Sequence, residues 1–286
     1  MGKDGSVGRE RWPGELGAFL RARRESLDPS AVGVVVERGR RVAGLRRSEV
    51  AARAAISLDY YTRIEQGRIA VSEPVLEAVA KALRLTDGER HYAATLAGHS
   101  GPRAPGRVPP VASAALVRLL DDLGLFPAVV LGPGTEVIAW NAQAAALFTD
   151  FGALPPHERS LVRLVFLDPD IRARHLDWPQ AARQQVAALR YDSACRPDDP
   201  ALLATIAELR ERDVDFRRWW DEHRVEGRPG GPTGYRHDHA GELWLDRDVL
   251  VRPDDPTQKL LTLTAPPGSP SAAGLRRLQR VSAEGG

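Results

Sequence analysis

The segment from Ser48 to Gly67 contains residue types at a spacing that suits the reading of DNA. It predicts two short helices on either side of a three-residue turn, the first from Ser48 to Ala55 and the second from the Ser57 cap to Gln66. Gly67 is a residue that commonly ends a helix. In a helix-turn-helix the second helix enters the major groove of DNA. The alternative is a simple helical hairpin whose charged face is solvated.

The second of these helices separates core positions from exposed positions. Tyr61 and Ile64 lie three residues apart and are predicted to face the core. Four outward positions are predicted to contact base edges, with the arginine suited to guanine: Leu58, Asp59, Thr62 and Arg63. Four positions near the helix starts are predicted to contact phosphates: Arg46, Arg47, Ser57 and Tyr60.

Further helices must hold this pair in place, and the sequence predicts five helices in its first hundred residues. One runs from Glu15 to Leu27, one is opened by Ser72-Glu73-Pro74, and one runs from Thr86 to Leu96. Residues 28–44 are punctuated by glycines and are predicted to be irregular.

A proline- and glycine-rich stretch divides the chain. Residues 98–110 contain four prolines and three glycines and can neither continue a helix nor form a core. We therefore expect a DNA-binding domain at residues 1–98, a linker at 99–111, a second domain at 112–275 and a tail at 276–286.

The second domain is predicted to be α+β with a mainly antiparallel sheet. A helix at 113–123 precedes a hairpin of strands 128–131 and 136–140, and Asn141 caps a short helix that runs to Phe148. A largely helical region follows at 158–223, broken near its prolines. Three further strands are expected at 241–246, 248–252 and 259–264.

Composition excludes several classes of protein. The 286 residues are 43% hydrophobic, which argues against wholesale disorder, and the single cysteine, Cys195, excludes a disulfide framework. Hydropathy predicts neither a transmembrane helix nor a signal peptide, so a cytoplasmic protein without a membrane partner is expected. Residues 1–110 hold 19 Lys and Arg against 13 Asp and Glu, a net charge of +6. The remainder carries −4, and this asymmetry suggests a polyanion-binding module joined to an acidic domain.

Residues 15–98 resemble the helix-turn-helix domain of the xenobiotic-response-element (XRE) family, in the version common in actinobacterial regulators. The resemblance rests on the stretches 44–51 and 59–68. It implies that Arg47 and Ser48 hold the DNA backbone. It also implies that the bases are read by three residues named above: Leu58, Asp59 and Arg63.

The same resemblance implies an internal salt bridge between Arg24 and Glu65. One position departs from the family pattern, because Ala55 stands where the turn often carries glycine. An alanine costs little there unless the backbone requires a positive φ.

Residues 113–273 resemble the MmyB-like ligand-binding domain, a PAS-like fold found behind XRE domains. The resemblance rests on residues 127–131, 138–141, 216–225, 241–243 and 264–271. It implies a small apolar or amphipathic ligand of fatty-acid type. The predicted ligand-binding residues are four aromatic side chains for an apolar wall and two histidines, with a nearby arginine as the alternative, for an acidic head group: Trp140, Phe148, Phe166, Trp219, His223 and His237. Ordinary core aromatics are the alternative.

Metal chemistry and catalysis have little support in the sequence. His237 and His239 would share one face of a strand, which permits a metal site, but surface or half-buried histidines are the favoured interpretation. The chain contains no G-x-S-x-G, Walker or H-E-x-x-H motif, so we expect no enzyme, no metal and no cofactor beyond a bound fatty-acid-like ligand.

These features together predict a regulator that binds double-stranded operator DNA as a homodimer and senses a small apolar ligand. A DNA-tethered scaffold, whose second domain binds a protein and no ligand, is the main alternative. A metal-dependent enzyme is a third.

Overall fold

The computed structural model describes residues 7–34, 42–99, 111–222, 232–251 and 257–284, with side chains from residue 14 to residue 280. These residues divide into two compact units. The first is built from residues up to 103 with two short segments, 194–198 and 218–222, and the second from the rest. Most of the predicted linker lies outside the described residues. Within the described parts, no helix is long and apolar enough to cross a bilayer.

The first unit contains the five predicted helices. Their bounds are α1 Val7–Ser26, α2 Arg47–Arg53, α3 Leu58–Glu65, α4 Glu73–Ala82 and α5 Asp87–Leu96. Helix α1 begins eight residues earlier than predicted, and a 3₁₀ turn at Ser30–Val32 lies in the segment expected to be irregular.

Local sequence explains where these helices begin and how closely they pack. Ser57 accepts a hydrogen bond from the Tyr60 amide, and Thr86 forms a capping box with Glu89. Gly17 lets α1 approach the end of α3, since a β-carbon there would lie 2.3 Å from the carbonyl oxygen of Glu65. The short helices are therefore capped at their starts and pack closely around one core.

Eight α-helices follow residue 111 among the described residues, and they belong to the second unit except for residues 194–195 and 218–221, which end two of them and group with the first unit. They are α6 Ala114–Asp122, α7 Ala142–Leu147, α8 Leu161–Leu167, α9 Pro169–Arg174, α10 Trp178–Cys195, α11 Pro200–Arg212, α12 Val214–Asp221 and α13 Pro270–Glu284. The helical region is interrupted near its prolines as predicted, and Pro179 lies in the first turn of α10, where its missing N–H costs nothing. The predicted tail is helical, since Leu275 and Leu278 are fully buried and extend α13 beyond residue 276.

The sheet has five antiparallel strands in the order β2-β1-β5-β4-β3. Their bounds are β1 Ala128–Leu131, β2 Val137–Trp140, β3 Thr233–His237, β4 Gly241–Val251 and β5 Lys259–Thr264. The hairpin β1–β2 and strand β5 confirm the prediction. The two strands expected at 241–246 and 248–252 are one strand through Arg247, because β4 pairs with β3 along its first half and with β5 along its second.

The two faces of the sheet have different neighbours. On the outer face, Leu116 and Leu120 of α6 pack with Ala128, Val130 and Leu260. The inner face is formed by the alternate residues of the strands, which the pairing register places side by side: Val129, Thr233, Tyr235, Leu243, Leu245, Arg247, Val249, Leu261 and Leu263.

Asn141 fixes the junction of β2 and α7. Its Oδ1 accepts hydrogen bonds from the amides of Ala128 and Ala144, and its Nδ2 donates to the Phe126 carbonyl at 2.8 Å. The cap predicted for this asparagine is therefore confirmed, and the same side chain also ties α7 to the start of the sheet.

Candidate DNA interface and ligand site

The outward surface of α3 forms the centre of the candidate DNA interface. Tyr61 and Ile64 are buried against the core, as the spacing predicted. On the opposite side Leu58 is 50% exposed, and Asp59 and Arg63 are also exposed. The helix thus presents an aliphatic group, an acceptor and a guanidinium together, which are the groups that read thymine methyls, cytosine amines and guanine.

Hydrogen bonds within α3 restrict two of the predicted contacts. The Thr62 hydroxyl donates to the Leu58 carbonyl at 2.7 Å, so its oxygen remains available as an acceptor. The Ser57 oxygen accepts from the Tyr60 amide at 3.1 Å, which leaves the hydroxyl proton of Ser57 free to donate to a phosphate.

The start of α2 carries the other predicted phosphate contacts. Arg46 and Ser48 are exposed, and the Arg46 amide donates to Glu49 at 2.6 Å. Arg47 differs from both, since its Nε donates to Glu65 at 2.6 Å while 41% of its side chain is exposed. Glu65 therefore orients Arg47 at the surface, and this arginine has a structural role besides any contact with DNA.

The salt bridge that the resemblance implied is present and buried. Arg24 Nε lies 2.6 Å from Glu65 Oε1, and Arg24 also donates to the Leu45 carbonyl at 2.9 Å. Burial by itself disfavours the charged guanidinium, but the hydrogen bond and charge of Glu65 outweigh it and raise the pKa of Arg24. This ion pair joins α1 to the end of α3 and so fixes the angle at which α3 is presented.

The turn between α2 and α3 contains a strained residue. It comprises four residues, 54–57, and Ala55 adopts φ +54°. This is the left-handed region, which glycine enters freely and alanine only at a cost. The departure from the family pattern therefore falls on a position whose backbone favours glycine.

In the second unit, a chain of ring contacts joins two of the predicted ligand-binding aromatics. Phe151 lies 5.4 Å from Trp140 and 6.4 Å from Phe148, measured between ring centroids. The chain continues from Phe148 to Tyr235 at 5.8 Å, and from Tyr235 to His175 at 5.0 Å. It forms a continuous cluster of packed rings that includes the phenol of Tyr235 on the inner face of the sheet.

The other predicted ligand-binding aromatics lie elsewhere. Phe166 packs edge-on against Trp178 and Phe216 in a separate cluster, with centroid distances of 5.7 and 5.1 Å. Trp219 is buried on α12, in a segment that groups with the first unit. His223 lies outside the described residues.

The expectation that His237 and His239 share a strand face is wrong, and the ring of His237 contacts backbone groups instead. His237 ends β3, and His239 lies in the following turn, so the two do not share a strand face. Its Nδ1 accepts from the amide of His239 at 3.2 Å, while Nε2 lies 3.2 Å from the Ala146 carbonyl. Burial and the charge of Arg174 lower the pKa of His237, which suits a neutral ring. In the part of the chain that the structure describes, no three His, Cys, Asp or Glu side chains gather as metal ligands would.

Sequence reasoning missed several polar residues on the inner face. Thr233, Tyr235 and Arg247 were not predicted as site residues, and neither was His175, whose ring contacts Tyr235. The alternation of β4 carries a signal for one of them, since Arg247 continues a series of apolar positions at intervals of two.

Comparison with known proteins agrees with the division of the chain into an N-terminal helical part and a second, α+β part. The helix-turn-helix domain family matches residues 15–93. The MmyB-like transcription regulator ligand binding domain family matches residues 112–278, which is more than half of the chain. A search of curated proteins returned no match. The chain therefore is a DNA-binding regulator with a ligand-binding domain, and it belongs to the family of MmyB-like transcription regulators.

Proposed function

We propose that α3 reads a specific operator and that the chain binds this operator as a homodimer on a pseudo-palindromic site. The observation that carries the proposal is the division of α3 between a core side and a side that exposes Leu58, Asp59 and Arg63. Arg46, Ser48 and the Ser57 hydroxyl flank this side and suit phosphate contacts. The XRE-type resemblance supports the same assignment, and such a regulator works in the cytoplasm.

Selection of bound sequences from random DNA tests this function directly. We expect a two-fold symmetric site whose half-sites lie about one helical turn, roughly 34 Å, apart. Sedimentation of the protein–DNA complex should show two chains per site. Recovery of no preferred sequence, or of a single asymmetric half-site bound by one chain, would contradict the proposal.

The ligand proposed for the second domain is small, apolar and fatty-acid-like. The ring contacts from Trp140 through Phe151 and Phe148 to Tyr235 support it, because they form a long apolar region beside the sheet in which an apolar tail would be buried. The PAS-like resemblance and the antiparallel sheet with its helices support the same ligand class. Binding would regulate transcription only if the ligand prefers one of two states that differ in operator affinity.

Thermal unfolding of the full chain with a series of saturated fatty acids tests the ligand class. A bound acid should raise the melting temperature, since it stabilises only the folded state. It should also change operator affinity by the factor that DNA changes ligand affinity. A series of acids from eight to eighteen carbons without any thermal shift would rule the ligand class out.

A second candidate is the DNA-tethered scaffold, and exposed apolar residues on β4 favour it. Trp244 is 47% exposed, and Leu250 and Val251 are 58% and 51% exposed. Large exposed apolar groups are a feature of protein-binding surfaces. Retention of regulation by Trp140→Ala together with its loss in a Trp244→Ser and Leu250→Ser double variant would favour the scaffold over the sensor.

A further inference from the structure

Arg247 lies on the inner face of the sheet, where its neighbours are mostly apolar. On β4 the preceding residues of this face, Leu243 and Leu245, are fully buried. Arg247 is the next residue on the same face, and it lies directly opposite Leu263 of β5, which is 1% exposed. A charged arginine among leucine side chains costs free energy, because its charge is partly removed from water.

This arginine lacks the compensation that buried charges normally have. Arg247 is half-buried, and no carboxylate of the described residues pairs with it. Burial lowers the pKa of Arg247, and the neighbouring Tyr235 only partly opposes that effect. Because a guanidinium stays protonated in proteins, Arg247 adds a positive charge to this face that no negative charge of the described residues matches.

Two hydroxyl groups lie on the same face. Thr233 pairs with Leu245 across the β3–β4 ladder, and this register makes Thr233 the diagonal neighbour of Arg247. Thr233 is 5% exposed, and its hydroxyl has no hydrogen-bond partner among the described residues. Burial raises the pKa of Tyr235 to about 12, so its phenol keeps its proton and can donate. A buried hydroxyl without a partner costs free energy unless something else pairs with it.

The charge of this cluster selects the kind of ligand. One guanidinium and two neutral hydroxyls can neutralise and hydrogen-bond a single negative charge. His175 adds none, because burial lowers its pKa and its Nδ1 is held by the Ile171 carbonyl at 2.8 Å. A carboxylate matches the planar fork of the guanidinium, whereas a doubly charged phosphate would keep one uncompensated charge.

We propose that Arg247, Tyr235 and Thr233 form the subsite that binds the carboxylate head group of an amphipathic ligand. This inference rests on the proposed ligand function, and it adds which chemical group the ligand carries at its polar end and which residues bind that group. The apolar tail then lies along the ring contacts that start at Tyr235 and pass through Phe148 and Phe151. Two independent features thus meet at Tyr235: the electrostatic interaction with Arg247 and the ring contact with Phe148.

Binding of three probes with the same tail to the full chain tests the subsite. Dodecanoate, dodecanol and dodecyl phosphate, each below its micelle concentration, differ only at the head group. We expect dodecanoate to bind about ten- to a hundredfold more tightly than dodecanol, the range given by a charge-assisted hydrogen bond. Arg247→Gln should remove this preference and leave dodecanol binding unchanged, and Arg247→Lys should retain part of it.

Two further variants make the result specific. Tyr235→Phe should weaken dodecanoate severalfold without changing dodecanol. Arg236→Gln is the matched control, since Arg236 lies on β3 but is 65% exposed and pairs with Glu242, and it should leave all three probes unaffected.

The outcomes separate this inference from the proposed function. Failure of all three probes to bind would overturn the ligand class and the subsite together. Equal affinity for dodecanoate and dodecanol, or parallel loss of both in Arg247→Gln, would overturn the subsite alone. Tighter binding of dodecyl phosphate than of dodecanoate would overturn the carboxylate assignment.

Discussion

Arg24 in the DNA-binding unit is buried and Arg247 in the ligand-binding unit is half-buried, and among the described residues only Arg24 has a carboxylate partner. Arg24 meets Glu65 at 2.6 Å and a backbone carbonyl, and the pKa of Arg24 is raised. Arg247 meets no carboxylate of the described residues, and its pKa is lowered. A compensated buried charge holds a structure together, whereas an uncompensated one is tolerated where a ligand supplies the missing partner.

The largest expected effect comes from removing the partner of Arg24. Glu65→Ala leaves the buried Arg24 with only the half-exposed Glu25 as a carboxylate partner and releases Arg47 as well, so we expect a loss of about 3 kcal/mol in the free energy of unfolding. Urea unfolding of the full chain, followed in the first unit, measures it. Glu77→Ala is the control, since Glu77 is 63% exposed and its pair with Arg90 should contribute less than about 1 kcal/mol. A double-mutant cycle without coupling between Arg24 and Glu65 would refute the structural role.

The next largest effect concerns DNA. Arg63→Ala should weaken binding to the selected operator by about 1–3 kcal/mol and relax the preference at one base pair. Arg46→Ala should weaken all sequences alike and reduce the salt slope by about one, because it removes a phosphate contact. Fluorescence anisotropy at several salt concentrations separates the two. Equal losses for Arg63→Ala on operator and random DNA would exclude base reading.

A smaller gain in stability is expected at the turn between α2 and α3. Ala55→Gly removes the cost of a left-handed alanine, about 1–2 kcal/mol, and adds the greater chain entropy of unfolded glycine. The net gain should be about 0.5–1 kcal/mol. Ala52→Gly in the exposed middle of α2 is the matched control and should lose about 1 kcal/mol. A loss of stability in Ala55→Gly would contradict the strain.

The smallest expected effect on stability tests the difference between Arg247 and Arg24. In ligand-free protein, Arg247→Met should leave the free energy of unfolding unchanged or raise it by up to about 1 kcal/mol, because it replaces an uncompensated charge with an apolar group. Arg24→Met should instead destabilise the fold, since the buried Glu65 loses one of its two arginine partners and keeps only Arg47. Calorimetry of the second unit's transition measures the first change. A loss of several kcal/mol in Arg247→Met would show that Arg247 is structural.

Much of the architecture could be predicted because its signals are local. Ser57, Thr86 and Asn141 act as helix caps through hydrogen bonds to residues only three positions away. The exposed side of α3 follows from a 3.6-residue period, and the β1–β2 hairpin from two short apolar runs. The ligand residues remain a prediction, and the sequence did not indicate that Phe166 packs with Trp178 and Phe216 in a cluster separate from Trp140 and Phe148.

By itself, the sequence determined the helix-turn-helix, the exposed side of its second helix and the presence of a second, antiparallel domain, because caps and periodicity act within a few residues. Only the tertiary structure decided that Arg247 shares one face of the sheet with Thr233 and Tyr235. That grouping depends on the pairing register of β3 with β4, which joins residues up to a dozen positions apart. It also decided the positive φ of Ala55, which the close packing of α2 and α3 imposes on the turn. Neither the identity of a residue nor the spacing of its neighbours reveals whether its charge finds a partner, since that partner is brought by the fold.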